Sequence, residues 1–213
     1  MKKLIITLAL VIGMVANAQK TSTFYFFVDL THEPLIQSYV DLVKAELPSI
    51  LKGTKSGNGV VVHLVPITNF TYLTPKTIKL AARDIPWYEN EYLRQDELSA
   101  FKASFEKGLK VFDFGDGYPN TRIYEELLAN MKDIKDSKAT VMVLSDLYEN
   151  AEGKVQLHKT YPRDVSSQYD PLFFDDITIV QGITKGDDPK NADYVLKFWR
   201  TILPGTNVDR FKL

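Results

Sequence analysis

Asp29, Thr31 and Glu33 occupy alternate positions in FFVDLTHEP, Phe26 to Pro34, where an apolar run gives way to oxygen-bearing side chains. Residues two apart on extended backbone project to the same side, so the three can converge on one point. Oxygen donors so arranged suit a hard divalent cation, which takes carboxylates, hydroxyls and water. Thr31 and Glu33 also have a plainer reading as helix-start residues that serve capping and the helix dipole. Further along, Asp146 closes VMVLSD, again directly after an apolar run.

The segments that must position these residues alternate between two periodicities. Thr23 to Asp29 is a nearly continuous apolar run, as expected of a strand covered on both faces. Ile36, Tyr39, Val40, Val43, Leu47 and Ile50 then recur at helical spacing, with Pro34 in the first turn and Gly53 beyond the end. Gly59 to Ile67 reads as a second strand, and Lys76 to Ala82 as a more polar one suited to an edge. Leu98, Phe101, Phe105 and Leu109 mark a helix; Ile123, Leu127, Met131 and Ile134 mark another. Ala139 to Leu144 and Asp176 to Ile183 are strands. Asp188 and Pro189 open a last helix with Ala192, Val195, Leu196, Trp199 and Leu203 on one face. This alternation predicts an α/β fold: a three-layer, doubly wound, mainly parallel sheet with helices on both faces. Ligands of such folds bind beyond the carboxyl ends of the strands, which is where Asp29 and Asp146 fall.

The first 18 residues stand apart. Lys2 and Lys3, the apolar LIITLALVIGMV and the small residues Ala16 and Ala18 have the form of a secretory signal peptide, with a mature chain from about Gln19. With no cysteine anywhere, neither a disulfide nor a cysteine-linked lipid is expected, so the chain reads as exported, periplasmic or secreted. Residues 19–213 are expected to form a single domain, with 85–118 as an insertion. The formal charge of −1 is spread through the sequence, which argues against a nucleic-acid footprint; no later run is long enough for a membrane span.

An apolar strand ending in D-x-T-x-E, then NTRIYEELL with Thr121 at a helix start, then VMVLSD with Asp146 resembles, in order and spacing, a von Willebrand factor A domain. The resemblance spans nearly all of the mature chain. It implies a metal-ion-dependent adhesion site holding Mg²⁺ or Mn²⁺, with Ca²⁺ as the alternative. Asp29 and Thr31 match the first two motif positions, Thr121 the threonine and Asp146 the final aspartate. By that resemblance, the Thr31 and Thr121 hydroxyls approach the metal and the aspartates supply charge around it. Glu33 departs from the pattern, which has serine there; it could ligate the cation, fill the partner's position, or cap the first helical turn. The implied role is binding, without catalysis, to a protein or cell-surface ligand through an acidic group. Within this reading His32 and Ser145 face away from the site.

Other features admit other readings. Asp29, Ser145 and the pair Asp175 and Asp176 follow the order of haloacid-dehalogenase-like phosphohydrolases, although Thr31 replaces the expected second aspartate. A metal-free subunit of an envelope assembly is a third possibility. Asp113 and Asp116 have the look of turn residues more than of a second calcium site. Trp87, Tyr88 and Tyr92 suit either a contact surface or packing onto the domain. His63 alternates within a buried strand, and His158 falls in a long polar loop.

Overall fold

The computed structural model describes residues 20–52, 54, 57–68, 75–83, 90–113, 121–149 and 169–212. The proposed signal peptide, Trp87, Tyr88, Asp116 and His158 lie outside them. In chain order the elements are β1 (Thr21–Asp29), α1 (Glu33–Ala45), a short α2 (Leu47–Leu51), β2 (Gly59–Ile67), β3 (Lys76–Leu80), α3 (Asn90–Gly108) with a 3-10 turn (Leu109–Phe112), α4 (Ile123–Ser137), β4 (Thr140–Ser145), β5 (Ile177–Ile183), α5 (Pro189–Ile202) and β6 (Asn207–Lys212).

The six strands form one sheet in the order β3-β2-β1-β4-β5-β6. All neighbours are parallel except β2 and β3, so Lys76–Leu80 is an antiparallel edge, as its polar sequence implies. β6 forms the other edge. Its sequence, NVDRFK, has too few apolar residues to declare itself a strand. The chain winds outward from β1 to β3, then returns to β4 on the opposite side of β1. The carboxyl ends of β1 and β4 therefore flank the point at which the winding reverses, where open α/β sheets leave a crevice for ligands.

Alternation along the strands feeds two cores. Tyr25, Phe27, Val141, Val143, Ile177 and Ile179 pack beneath α4 and α5, which contribute Leu127, Ile134, Val195 and Trp199. Phe26, Val28, Val62, Leu64 and Leu144 face the opposite layer, made by α1, α2 and α3 through Leu35, Tyr39, Val43, Ile50 and Phe105. This is a three-layer fold of the von Willebrand A and Rossmann kind. The helix expected from Ile36 to Ile50 is divided at Glu46, because Pro48 cannot donate a backbone hydrogen bond to a continuing helix. Asp188 caps α5 as its sequence predicts, accepting the Lys190 amide at 2.9 Å.

Candidate functional site

Asp29 ends β1 with no exposed surface. Its Oδ1 accepts both the Thr31 amide (2.9 Å) and the Thr31 hydroxyl (2.6 Å), an arrangement that the D-x-T spacing allows because the chain turns immediately after the strand. Thr31 Oγ1 also lies 2.6 Å from Thr121 Oγ1, across 90 residues of sequence. Thr121 is buried two residues before α4. The fold therefore brings together Asp29, Thr31 and Thr121, three of the five residues singled out in the sequence.

Asp146 follows β4 and uses Oδ1 to accept the Tyr148 amide at 3.1 Å. Burial is the main influence on this carboxyl, raising it to about 8; the Asp29 charge adds to the effect. Asp29 is raised as well, by burial first, against the lowering effect of hydrogen bonds from Ser145 and Thr31. Glu33 is exposed in the first turn of α1, beside the positive end of that helix.

Two expectations are corrected. Ser145 does not face away: its hydroxyl donates to Asp29 Oδ2 at 2.5 Å. β1 and β4 pair in register up to Val28 and Leu144, so Asp29 and Ser145 sit one step further along and project to the same side of the sheet. Nor does His32 face away. Its Nδ1 lies 3.7 Å from Asp146 Oδ2, because alternation ends with β1 and residues after Asp29 turn into α1. His63 is held midway along β2, stacked on Tyr25 at 4.1 Å and hydrogen-bonded to Thr77. Asp113 closes the 3-10 turn, and Tyr92 on α3 is exposed.

Two residues escaped the sequence reading. Leu147 is fully buried with φ of 70°, a left-handed conformation costly for a branched side chain. Its amide donates to Ser145 Oγ and its carbonyl accepts the Trp199 indole at 2.9 Å. Glu149, also fully buried, accepts the Ile123 and Tyr124 amides at the start of α4. Left-handed backbone at a non-glycine residue carries no local signal, and the glutamate cap comes from 26 residues downstream.

The donor chemistry can be set against a cation. Among the described residues no three His, Cys, Asp or Glu side chains come together as a metal-holding group. This does not fit a zinc site or an all-carboxylate calcium cage. Two hydroxyls that meet at 2.6 Å, one of them seated on the buried Asp29 carboxyl, are oxygen donors of the kind that Mg²⁺ or Mn²⁺ takes together with water.

No protein-family model matches this sequence, and no curated protein matches it. Among solved structures it is similar to the human COPII-coat protein Sec24c, with 14% identity over 91% of this chain and 30% of that one and a TM-score of 0.49. It is also similar to a von Willebrand factor type A protein from Catenulispora acidiphila, with 12% identity over 90% of this chain and 39% of that one and a TM-score of 0.38. The chain thus spans well under half of either, and both overlaps are too loose to carry a role across.

Proposed function

We propose that this chain is an exported binding module that engages a protein or surface ligand at the carboxyl ends of β1 and β4, through a Mg²⁺ or Mn²⁺ ion. The observation that carries this reading is the meeting of Thr31 and Thr121 hydroxyls at 2.6 Å, with Thr31 seated on Asp29. Thr31, Thr121 and Asp146 would hold the ion with water, and Asp29 would orient Thr31. The bound ion would offer an open coordination position to an acidic group of the partner. Glu33, exposed in the first helical turn, is left out of the ligand set.

Calorimetric titration with Mn²⁺ and Mg²⁺ tests this. The wild type should bind; Asp146→Ala should lose about tenfold or more in affinity, equivalent to roughly 1.4 kcal/mol, whereas Glu33→Ser should stay within about twofold. Absence of binding at millimolar cation would favour the metal-free envelope subunit instead.

A phosphohydrolase is the second reading, favoured by the Ser145 to Asp29 hydrogen bond. Against it, Asp176 accepts the Thr140 hydroxyl at the opposite end of β4 from Ser145. Five residues of strand separate the two, roughly 16 Å. Asp175 and Asp176 therefore cannot share a metal with Asp29.

A further inference from the structure

A helix leaves its first four amides without partners inside the helix, and a serine, threonine, aspartate or asparagine at the N-cap ordinarily accepts one of them. At the start of α4 the N-cap position belongs to Arg122, whose side chain caps nothing. Thr121, immediately before it, has the right chemistry, yet its hydroxyl lies 2.6 Å from Thr31 Oγ1 instead. Thr31 gives its own hydrogen to Asp29, so Thr121 is the donor of that contact. The helix start and the candidate site thus compete for one hydroxyl.

Glu149 removes the competition. Its Oε2 accepts the Ile123 amide at 2.8 Å and the Tyr124 amide at 3.3 Å, the first two amides of α4. Both bonds fall on one oxygen of a fully buried side chain, so the carbonyl of a neutral amide of the same shape can take them over. Glu149 arrives from the loop after β4, which also carries Asp146, and it closes a ring around the candidate site. Asp29 holds Thr31 and Ser145, Ser145 holds the Leu147 amide, Glu149 holds the start of α4, and Thr121 returns to Thr31.

We propose that Glu149 is a positioning residue: by capping α4 from the loop after β4, it leaves the Thr121 hydroxyl free to meet Thr31 in the candidate site. Without Glu149, the Ile123 and Tyr124 amides lose their acceptor inside the protein, and an unsatisfied buried amide costs more than a bond between two hydroxyls returns. Thr121 is then drawn over the first turn of α4 as its cap, and the contact with Thr31 breaks. The consequence for a bound ion rests on the reading of Thr31 and Thr121 as its ligands. Under that reading, a residue that touches no ion decides whether one of its oxygen donors is in place.

Crystal structures of the cation-free wild type and of Glu149→Gln and Glu149→Ala test the positioning directly. Glu149→Gln keeps an acceptor oxygen and should keep Thr121 on Thr31. In Glu149→Ala the two hydroxyls should part beyond hydrogen-bond reach, with Thr121 Oγ1 turned toward the α4 amides. Should Glu149→Ala not fold, Glu149→Asp, whose carboxylate is one methylene short of those amides, carries the same expectation. Titration with Mn²⁺ then reads the site: Glu149→Gln should stay within about twofold of wild type, and Glu149→Ala or Glu149→Asp should lose about tenfold or more. Ile134→Ala, which removes buried packing near the far end of α4, should lower Tm and leave both the hydroxyl contact and the Mn²⁺ affinity alone. A Thr31 to Thr121 contact that survives in Glu149→Ala, or that is lost equally in Glu149→Gln, would overturn the proposal. So would an unchanged Mn²⁺ affinity in a variant whose hydroxyls have parted. Absence of Mn²⁺ binding in the wild type, with the hydroxyls displaced only in Glu149→Ala or Glu149→Asp, removes the cation reading and leaves the positioning role supported.

Discussion

Ser145 donates its hydroxyl hydrogen to Asp29 and accepts one from the Leu147 amide, so a single oxygen ties the end of β1 to the turn that leaves β4. Its removal in Ser145→Ala deprives a buried carboxylate and a buried amide of their partners. Each such loss costs about 1 to 3 kcal/mol, so the variant should lose roughly 2 to 6 kcal/mol in urea unfolding. A variant within about 0.5 kcal/mol of wild type would mean that these bonds exchange for others at no cost. Asp29, Thr31 and Thr121 were legible because their types and order form a pattern. Within its own strand Ser145 can be placed only against its neighbour Asp146, and alternation does set those two apart. Its relation to Asp29 depends on the register between β1 and β4, a property of two strands that neither contains alone.

Elements raise the same question of which effect dominates at the turn after β4. Leu147 holds a φ of 70° and no exposed surface. Glycine there would relieve roughly 1 to 3 kcal/mol of backbone strain. It would also empty a leucine-sized place in the core beneath α4 and α5, which costs about 2 to 5 kcal/mol, and add about 0.5 to 1 kcal/mol of chain entropy. At the middle of these ranges burial outweighs strain, so Leu147→Gly should be less stable by about 2 kcal/mol, measured by the urea midpoint. Stability equal to wild type would place the strain level with the packing, and a more stable variant would place it above. The elements themselves were mostly legible. Strong apolar runs announced β1, β2, β4 and β5, and Asp188 with Pro189 announced α5. β6 was not, because NVDRFK lies at a sheet edge and is specified by its ladder with β5 more than by its composition. The division between α1 and α2 was missed although Pro48 marks it, since helical spacing continues through the break.

For the whole molecule, several acids lie in low-dielectric surroundings around one end of the sheet. Burial is the leading cause for each: Asp146 is raised to about 8, Glu126 to about 7, and Asp29 and Glu149 are raised too. In the unfolded chain such groups titrate near 4. Between that value and the folded values, the native state binds more protons than the unfolded state, so stability falls as pH rises. The contribution of these groups is fully present below the unfolded values and is lost through about 7 to 8, the range set by Glu126 and Asp146. The cation-free chain should therefore show a lower Tm at about pH 8.5 than at about pH 5, opposite to a protein stabilised by surface carboxylate pairs. A cation that occupies the site replaces protons as the source of positive charge and binds the deprotonated carboxylates. Saturating Mg²⁺ should consequently raise Tm more at pH 8.5 than at pH 5, flattening the profile. A cation-free Tm that is level or rising across that interval would show that these carboxyls are paired or solvated in a way the buried geometry does not provide. An unchanged slope with Mg²⁺ present, over a falling cation-free profile, would instead separate the buried acids from cation binding.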